Sequence, residues 1–155
     1  MKKRVLALFL AVMFSVMGIM TETRDVKAED VVEEEVEFSV LLTDDALIGY
    51  AERQTWGVYL LNGYSIINDA GGGRIGYGGI TNAATRCTVS VNAVVERYMN
   101  GSWVRVTSGS KTNTDALTAS VSKYLYVASG YYYRVRSIHN ASSDTSYSCT
   151  NGLWM

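Results

Sequence analysis

Asn100-Gly101, set between two runs of alternating residues, constrains this chain more than any other feature. It is the preferred pair for a two-residue type I′ hairpin, in which both central residues take positive φ. Such a turn pairs Met99 with Ser102 and fixes the rungs behind it: Tyr98 opposite Trp103, Glu96 opposite Arg105, Val95 opposite Val106. That register matches ring with ring, opposite charges, and two valines, and a slip of one residue loses all three. Cys87, Val89, Val91, Ala93 and Val95 then share the face of Val104 and Val106, which is the expected core face. Tyr98 and Trp103 lie on the outer one.

The stretch 124–139, YLYVASGYYYRVRSIH, has the same period of two. Burying Tyr131, Tyr133 and Val135 leaves Tyr132, Arg134 and Arg136 outside, whereas the opposite choice buries two guanidinium groups at a cost of several kcal/mol each. Ala128-Ser129-Gly130 between the runs is either a hairpin loop or a corner where the chain crosses between sheets. From Trp56 the reading is strand, turn, strand: WGVYLL, a turn at Asn62-Gly63, YSII, the glycine segment Gly71 to Gly79, and a last strand from Thr145 to Trp154 with Tyr147, Cys149 and Leu153 inward. Gly71-x-Gly73-x-x-Gly76 matches a dinucleotide fingerprint only in form. No helix follows to meet a pyrophosphate, so a turn with close backbone approach or a bulged strand is expected. The fold expected over residues 53–155 is all-β, an antiparallel β-sandwich or flattened barrel of about six to eight strands.

Ahead of it, residues 1–28 have the form of a cleavable signal peptide. Met1-Lys2-Lys3-Arg4 is basic, Val5 to Met20 is apolar apart from Ser15 and Gly18, and Val26-Lys27-Ala28 suits a peptidase. The apolar run is short of the roughly 20 residues that a bilayer core requires, and no later segment is expected to span a membrane. Cleavage removes five of fourteen basic and two of fifteen acidic side chains, leaving a net charge of −4. An acidic chain argues against nucleic acid as a partner. Residues 29–52 are expected to form an acidic leader, mostly disordered or with a short helix started by Thr43-Asp44-Asp45. Phe38 to Leu42 is either a first strand or part of that leader.

Cys87 and Cys149, both placed on core faces of an exported chain, are expected to form a disulfide. Closing that loop would stabilise the fold by about 4 kcal/mol in the chain-entropy treatment. Two cysteines and one histidine fall short of a structural zinc site, and no metal or cofactor is expected. His139 is the sole histidine. Serines and Asp144 lie near it in sequence, but a structural or surface role is favoured over a hydrolytic base and no catalytic residue is assigned. Tyr98, Trp103, Tyr124, Tyr126 and Tyr132 fall on expected outer faces, a candidate binding surface of exposed rings for a glycan or a cell-surface protein.

Gly63-Tyr64-Ser65-Ile66-Ile67-Asn68, Gly79-Ile80-Thr81-Asn82-Ala83, Val94-Val95-Glu96-Arg97-Tyr98 with Gly101-Ser102-Trp103, and Gly130-Tyr131-Tyr132-Tyr133-Arg134-Val135-Arg136 with His139 make up a larger pattern. It resembles a family of small secreted proteins of Gram-positive bacteria with no assigned function. The resemblance runs from about Arg53 to Met155 and carries over no active-site residue. More loosely, a tyrosine opening an alternating YRVR strand is similar to the penultimate strand of fibronectin type III and immunoglobulin-like sandwiches. The expected function is a secreted, non-enzymatic binding module, with a bacteriocin-like or toxin-like effector second and a secreted hydrolase third.

Overall fold

The structure is a computed structural model that describes residues 32–51 and 57–155. The expected signal peptide, Glu29 to Val31 and Glu52 to Trp56 lie outside the described residues. Among the described residues eight strands form one antiparallel sheet: β1 (Glu33–Glu35), β2 (Leu47–Tyr50), β3 (Leu60–Gly71), β4 (Arg74–Met99), β5 (Ser102–Tyr126), β6 (Tyr132–Ala141), β7 (Asp144–Cys149) and β8 (Leu153–Trp154). The all-β fold is as the alternation implied. No helix among the described residues is long and apolar enough to cross a membrane.

The sheet folds over on itself through β4. The first part of β4, Arg74 to Asn82, pairs with β3 and the end of β5, while Val89 to Arg97 pairs with β6 and the start of β5. Pairing is irregular between Asn82 and Cys87. A straight strand would put Thr81 and Ser90 about 30 Å apart. Instead the Thr81 hydroxyl donates to the Ser90 carbonyl at 2.9 Å, so the strand turns sharply there. β3 consequently lies across the interior from β6 and β7, and two layers result from one sheet. Ala128-Ser129-Gly130 is the crossing between the layers, since β6 pairs with β4, β7 and β8 and not with β5. Buried Tyr133 braces it by donating its hydroxyl proton to the Ala128 carbonyl at 2.8 Å.

The Asn100-Gly101 turn has φ of 51° and 81°, and Tyr98 faces Trp103 while Glu96 faces Arg105. The third rung departs from the expected register: Val95 faces Thr107, because a bulge inserts Val106. Val104, expected in the core, is half exposed beyond that bulge. The glycine segment divides its labour. Gly71, Gly72 and Gly73 take φ of 74°, 65° and 75° in the tight β3–β4 connection, and Gly76 and Gly78 then leave the outer face of β4 bare. Leu41 fills that space; a Cβ on Gly76 would stand 2.6 Å from its Cδ2.

Three expectations are corrected. Residues 32–51 belong to the compact unit Val31–Met155, so the fold does not start at residue 53 after a mostly disordered leader. Glu33–Glu35 is a strand on β5, and Phe38–Leu41 is a 3-10 helix whose Leu41 carbonyl accepts from Asn68 Nδ2 at 3.1 Å. The helix expected after Thr43-Asp44-Asp45 is instead a turn leading into β2, which pairs with β3 from Leu47 to Tyr50. Gly49 decides this: it lies against the Cys149 carbonyl, where no side chain fits. Asn62-Gly63 is not a turn but lies within β3, near its start. Its glycine is required by a ring in the opposite layer.

Candidate functional site

That ring is His139, wholly buried on β6; a Cβ on Gly63 would come within 2.5 Å of its Cγ. His139 Nδ1 lies 2.8 Å from Thr81 Oγ1, and Nε2 lies 2.7 Å from Ser148 Oγ. Ser148 Oγ is 2.5 Å from Ser65 Oγ, which donates to Ser137 Oγ at 2.7 Å. Thr81 gives its single proton to the Ser90 carbonyl and so accepts from the ring, while Ser65 gives its proton to Ser137 and so accepts from Ser148. Completing this directed chain takes a proton on each ring nitrogen. Burial opposes the charge, pushing His139 down to about 4. No carboxylate lies among its hydrogen-bond partners to offset that cost, so at neutral pH the ring has one proton fewer than the chain of bonds could use. The seam joins β3, β4, β6 and β7, and its Ser65, Thr81, Ser137, His139 and Ser148 side chains are all buried.

The last strand inverts the sequence reading. Ser146, Ser148 and Thr150 point inward, while Tyr147 and Cys149 are exposed, because the inward side of β7 meets the imidazole and not an apolar layer. The strand also ends at Cys149, and Leu153–Trp154 pairs separately with Tyr132 and Tyr133.

The expected disulfide does not form. Cys87 is half-buried against the core and Cys149 is exposed, and both are free thiols. Cys149 stands opposite Arg136, which stands opposite Val94, seven positions along β4 from Cys87. At about 3.3 Å per residue the two are some 20 Å apart, where a bridge needs Cα atoms within about 7 Å. Among the described residues no group of three or more His, Cys, Asp or Glu side chains could hold a metal ion.

The five candidate rings do not make one row. Tyr98, Trp103 and Tyr132 lie on the layer built from β4, β5 and β6, whereas Tyr124 and Tyr126 lie on the other layer with Arg74 over both rings at 5.0 and 5.7 Å. The first group is extended by a residue that sequence reasoning left out. Trp154 of β8 meets Tyr132 edge-on at 4.8 Å, and Tyr98 meets Trp103 at 5.2 Å. Gly152 sits between the two pairs: a Cβ there would be 3.3 Å from Tyr132 and 3.4 Å from Trp103. Tyr98, Tyr132 and Trp154 are about half exposed. Glu96, the buried hub beneath them, pairs with Arg134 at 2.8 Å and Arg136 at 3.0 Å, and the Arg134 guanidinium stacks 4.2 Å from the Trp103 ring. The Tyr132–Trp154 contact was legible only in part, since parity places Tyr132 outside but cannot bring a two-residue strand beside it.

No protein-family model matches this chain, and no curated protein matches it. Among solved structures, the solution structure of R. palustris CsgH matches 66% of this chain and 87% of that chain, at 16% identity and a TM-score of 0.35.

On the outer face of the other layer, Phe38, Leu42, Ile48, Tyr50, Tyr64, Ile66 and Ile80 line an apolar groove of about 270 Å³. Tyr50 and Tyr64 meet edge-on along it at 5.2 Å. Reading residues 43–52 as a helix start hid this groove, because Ile48 and Tyr50 share a face only in a strand.

Proposed function

We propose that this protein is a secreted, non-enzymatic binding module that engages its ligand through the face made by Tyr98, Trp103, Tyr132 and Trp154. The observation that carries the reading is the set of half-exposed rings Tyr98, Tyr132 and Trp154 around the less exposed Trp103, which the Arg134 guanidinium of the Glu96–Arg134–Arg136 network covers. Rings fixed in this way lose little side-chain freedom on binding, and the flanking guanidinium groups supply directional donors. Flat rings with polar donors at their rim suit the apolar face and hydroxyls of a sugar, so a surface glycan is the ligand class chosen here. The basic and apolar run of residues 1–28 supports export. The burial of the only histidine among hydroxyls supports a role other than hydrolysis.

Screening the protein against immobilised glycans tests this. Tyr132→Ala with Trp154→Ala is expected to weaken the strongest interaction at least tenfold, the loss of roughly 1.4 kcal/mol or more that removal of two stacked rings implies. Binding unaffected by the pair, or no binding to any glycan, would sink the proposal.

A further inference from the structure

Glu33 occupies a cradle that β1 does not itself build. Its Oε1 accepts from Thr107 Oγ1 at 2.6 Å and from Tyr77 Oη at 3.1 Å, and its Oε2 receives Lys123 Nζ at 2.7 Å. All three donors stand on β4 and β5, within the fold. Burial raises the Glu33 carboxyl, but the bonds from Lys123 and Thr107 and the Lys123 charge outweigh it and leave it below the ordinary range. Burial and the neighbouring carboxylate push the Tyr77 hydroxyl well above its ordinary value, which keeps it a donor.

The strand that delivers this carboxylate is slight. β1 has three rungs, from Glu33–Leu125 to Glu35–Lys123, followed by Val36, whose N–H donates to the Ser122 carbonyl at 3.1 Å and whose carbonyl accepts from Ser122 Oγ at 2.5 Å, and Val32, Glu34 and Glu35 are exposed. The 3-10 helix behind it is fixed independently, by Leu41 on Gly76 and Gly78 and by Asn68. Glu37, exposed and with extended backbone at φ −66° and ψ 137°, joins the two.

We infer that the β5 edge is a carboxylate-reading strand site, and that its partner is the acidic β1 segment of a second copy of this chain, exchanged for the copy's own. Every copy carries both the cradle and the strand, so exchange in trans re-forms the same rungs, the same ion pair and the same hydroxyl bonds. The tether favours the copy's own strand in dilute solution, and exchange grows with concentration.

Reciprocal charge reversal tests this in full-length protein. Glu33→Lys drives β1 away from Lys123, and Lys123→Glu spoils the cradle for Glu33. Each variant alone is expected to sediment as a monomer. Their mixture is expected to form a 1:1 complex, in which the two substituted side chains pair with each other across one exchanged strand and the native Glu33 pairs with the native Lys123 across the other. The double variant, paired again within one chain, is expected to return to a monomer. In addition, a labelled peptide of residues 29–37 is expected to bind the Glu33→Lys protein at least tenfold more tightly than the wild type. Near-UV circular dichroism checks that each variant is folded, and Glu33→Ala replaces Glu33→Lys if the latter is not. A folded pair that forms no complex on mixing, or a peptide that binds variant and wild type alike, overturns the inference.

Discussion

The two faces of β6 follow opposite rules. Inward it offers Tyr133, Val135, Ser137, His139 and Ala141, all buried; outward it offers Tyr132, Arg134, Arg136 and Ile138, none of them fully buried. Inside, the strand starts apolar and ends in a hydroxyl-and-imidazole seam where each group has a fixed partner and backbone lies against ring. Outside, long side chains stack and pair at the solvent-facing surface. A close-packed polar seam tolerates neither added volume nor a lost partner, whereas a wall of stacked side chains gives way at small cost. Specificity of fold therefore resides in the seam, and tolerance of substitution resides on the wall.

Added methyl groups should separate the two most sharply. Gly49→Ala sets a Cβ against the Cys149 carbonyl, and Gly63→Ala sets one 2.5 Å from the His139 ring. Neither neighbour can withdraw, since one is backbone and the other is bonded through both nitrogens. Each substitution is expected to cost at least about 3 kcal/mol in urea unfolding, the upper end of overpacking effects. On the wall, Gly152→Ala meets only the sides of Tyr132 and Trp103, at 3.3 and 3.4 Å, and should cost under about 1 kcal/mol. Equal costs at Gly63 and Gly152 would erase the contrast.

The seam also titrates, and in a direction of its own. His139 is held down at about 4 by burial, against 6.5 for an open imidazole. Between those values the unfolded chain takes up a proton that the folded chain refuses. Stability is therefore complete above pH 6.5 and falls by roughly 3 kcal/mol as the pH drops toward 4. Glu33 and Asp144 act at lower pH. Asp144 is held below its ordinary range by the backbone N–H groups of Leu60 and Tyr59, so its contribution and that of Glu33 vanish only as the pH falls through the carboxylate range. Urea melts between pH 7.5 and 4.5 should show the histidine window first. The His139 ring signal in NMR should titrate near 4, and a midpoint at 6 or above would mean that water or a counter-charge reaches the seam.

The contrast also explains what was legible in the residues. Alternation of apolar and polar residues marks a core only where the core is apolar. The Asn100-Gly101 hairpin and the Tyr133-Val135 face meet that condition, so their pairing and burial could be read directly, apart from the Val106 bulge. At β7 the interior is polar, and Ser146, Ser148 and Thr150 read as outward while Tyr147 and Cys149 read as inward; both assignments are reversed. β2 failed differently. Its strand conformation depends on pairing with β3 and on Gly49 against β7, contacts that no local propensity encodes. The aromatic wall was visible as parity at Tyr98, Trp103 and Tyr132. Its division between two layers was not, because that depends on where β4 folds over.

One cysteine belongs to each region, and the smallest expected effect follows from that. Cys87 packs beside the apolar interior at the corner of β4, while Cys149 stands on the wall near Glu96, Arg134 and Arg136, its thiol raised by burial, which outweighs the lowering by the two guanidinium groups. With the two some 20 Å apart along the strand direction, oxidation cannot join them without dismantling the β4–β6 ladder. A bridge across this loop would contribute about 4 kcal/mol, so its presence or absence is easily read. Adding reductant should leave the urea midpoint unchanged, and Cys149→Ser should change stability by no more than about 0.5 kcal/mol. Alkylation of the non-reduced protein should label Cys149 first and Cys87 after unfolding. A reductant-dependent fall in stability would require the β4–β6 ladder to be broken and its strands re-paired, so that this one measurement bears on the register of β6 and β7 as well as on the thiols.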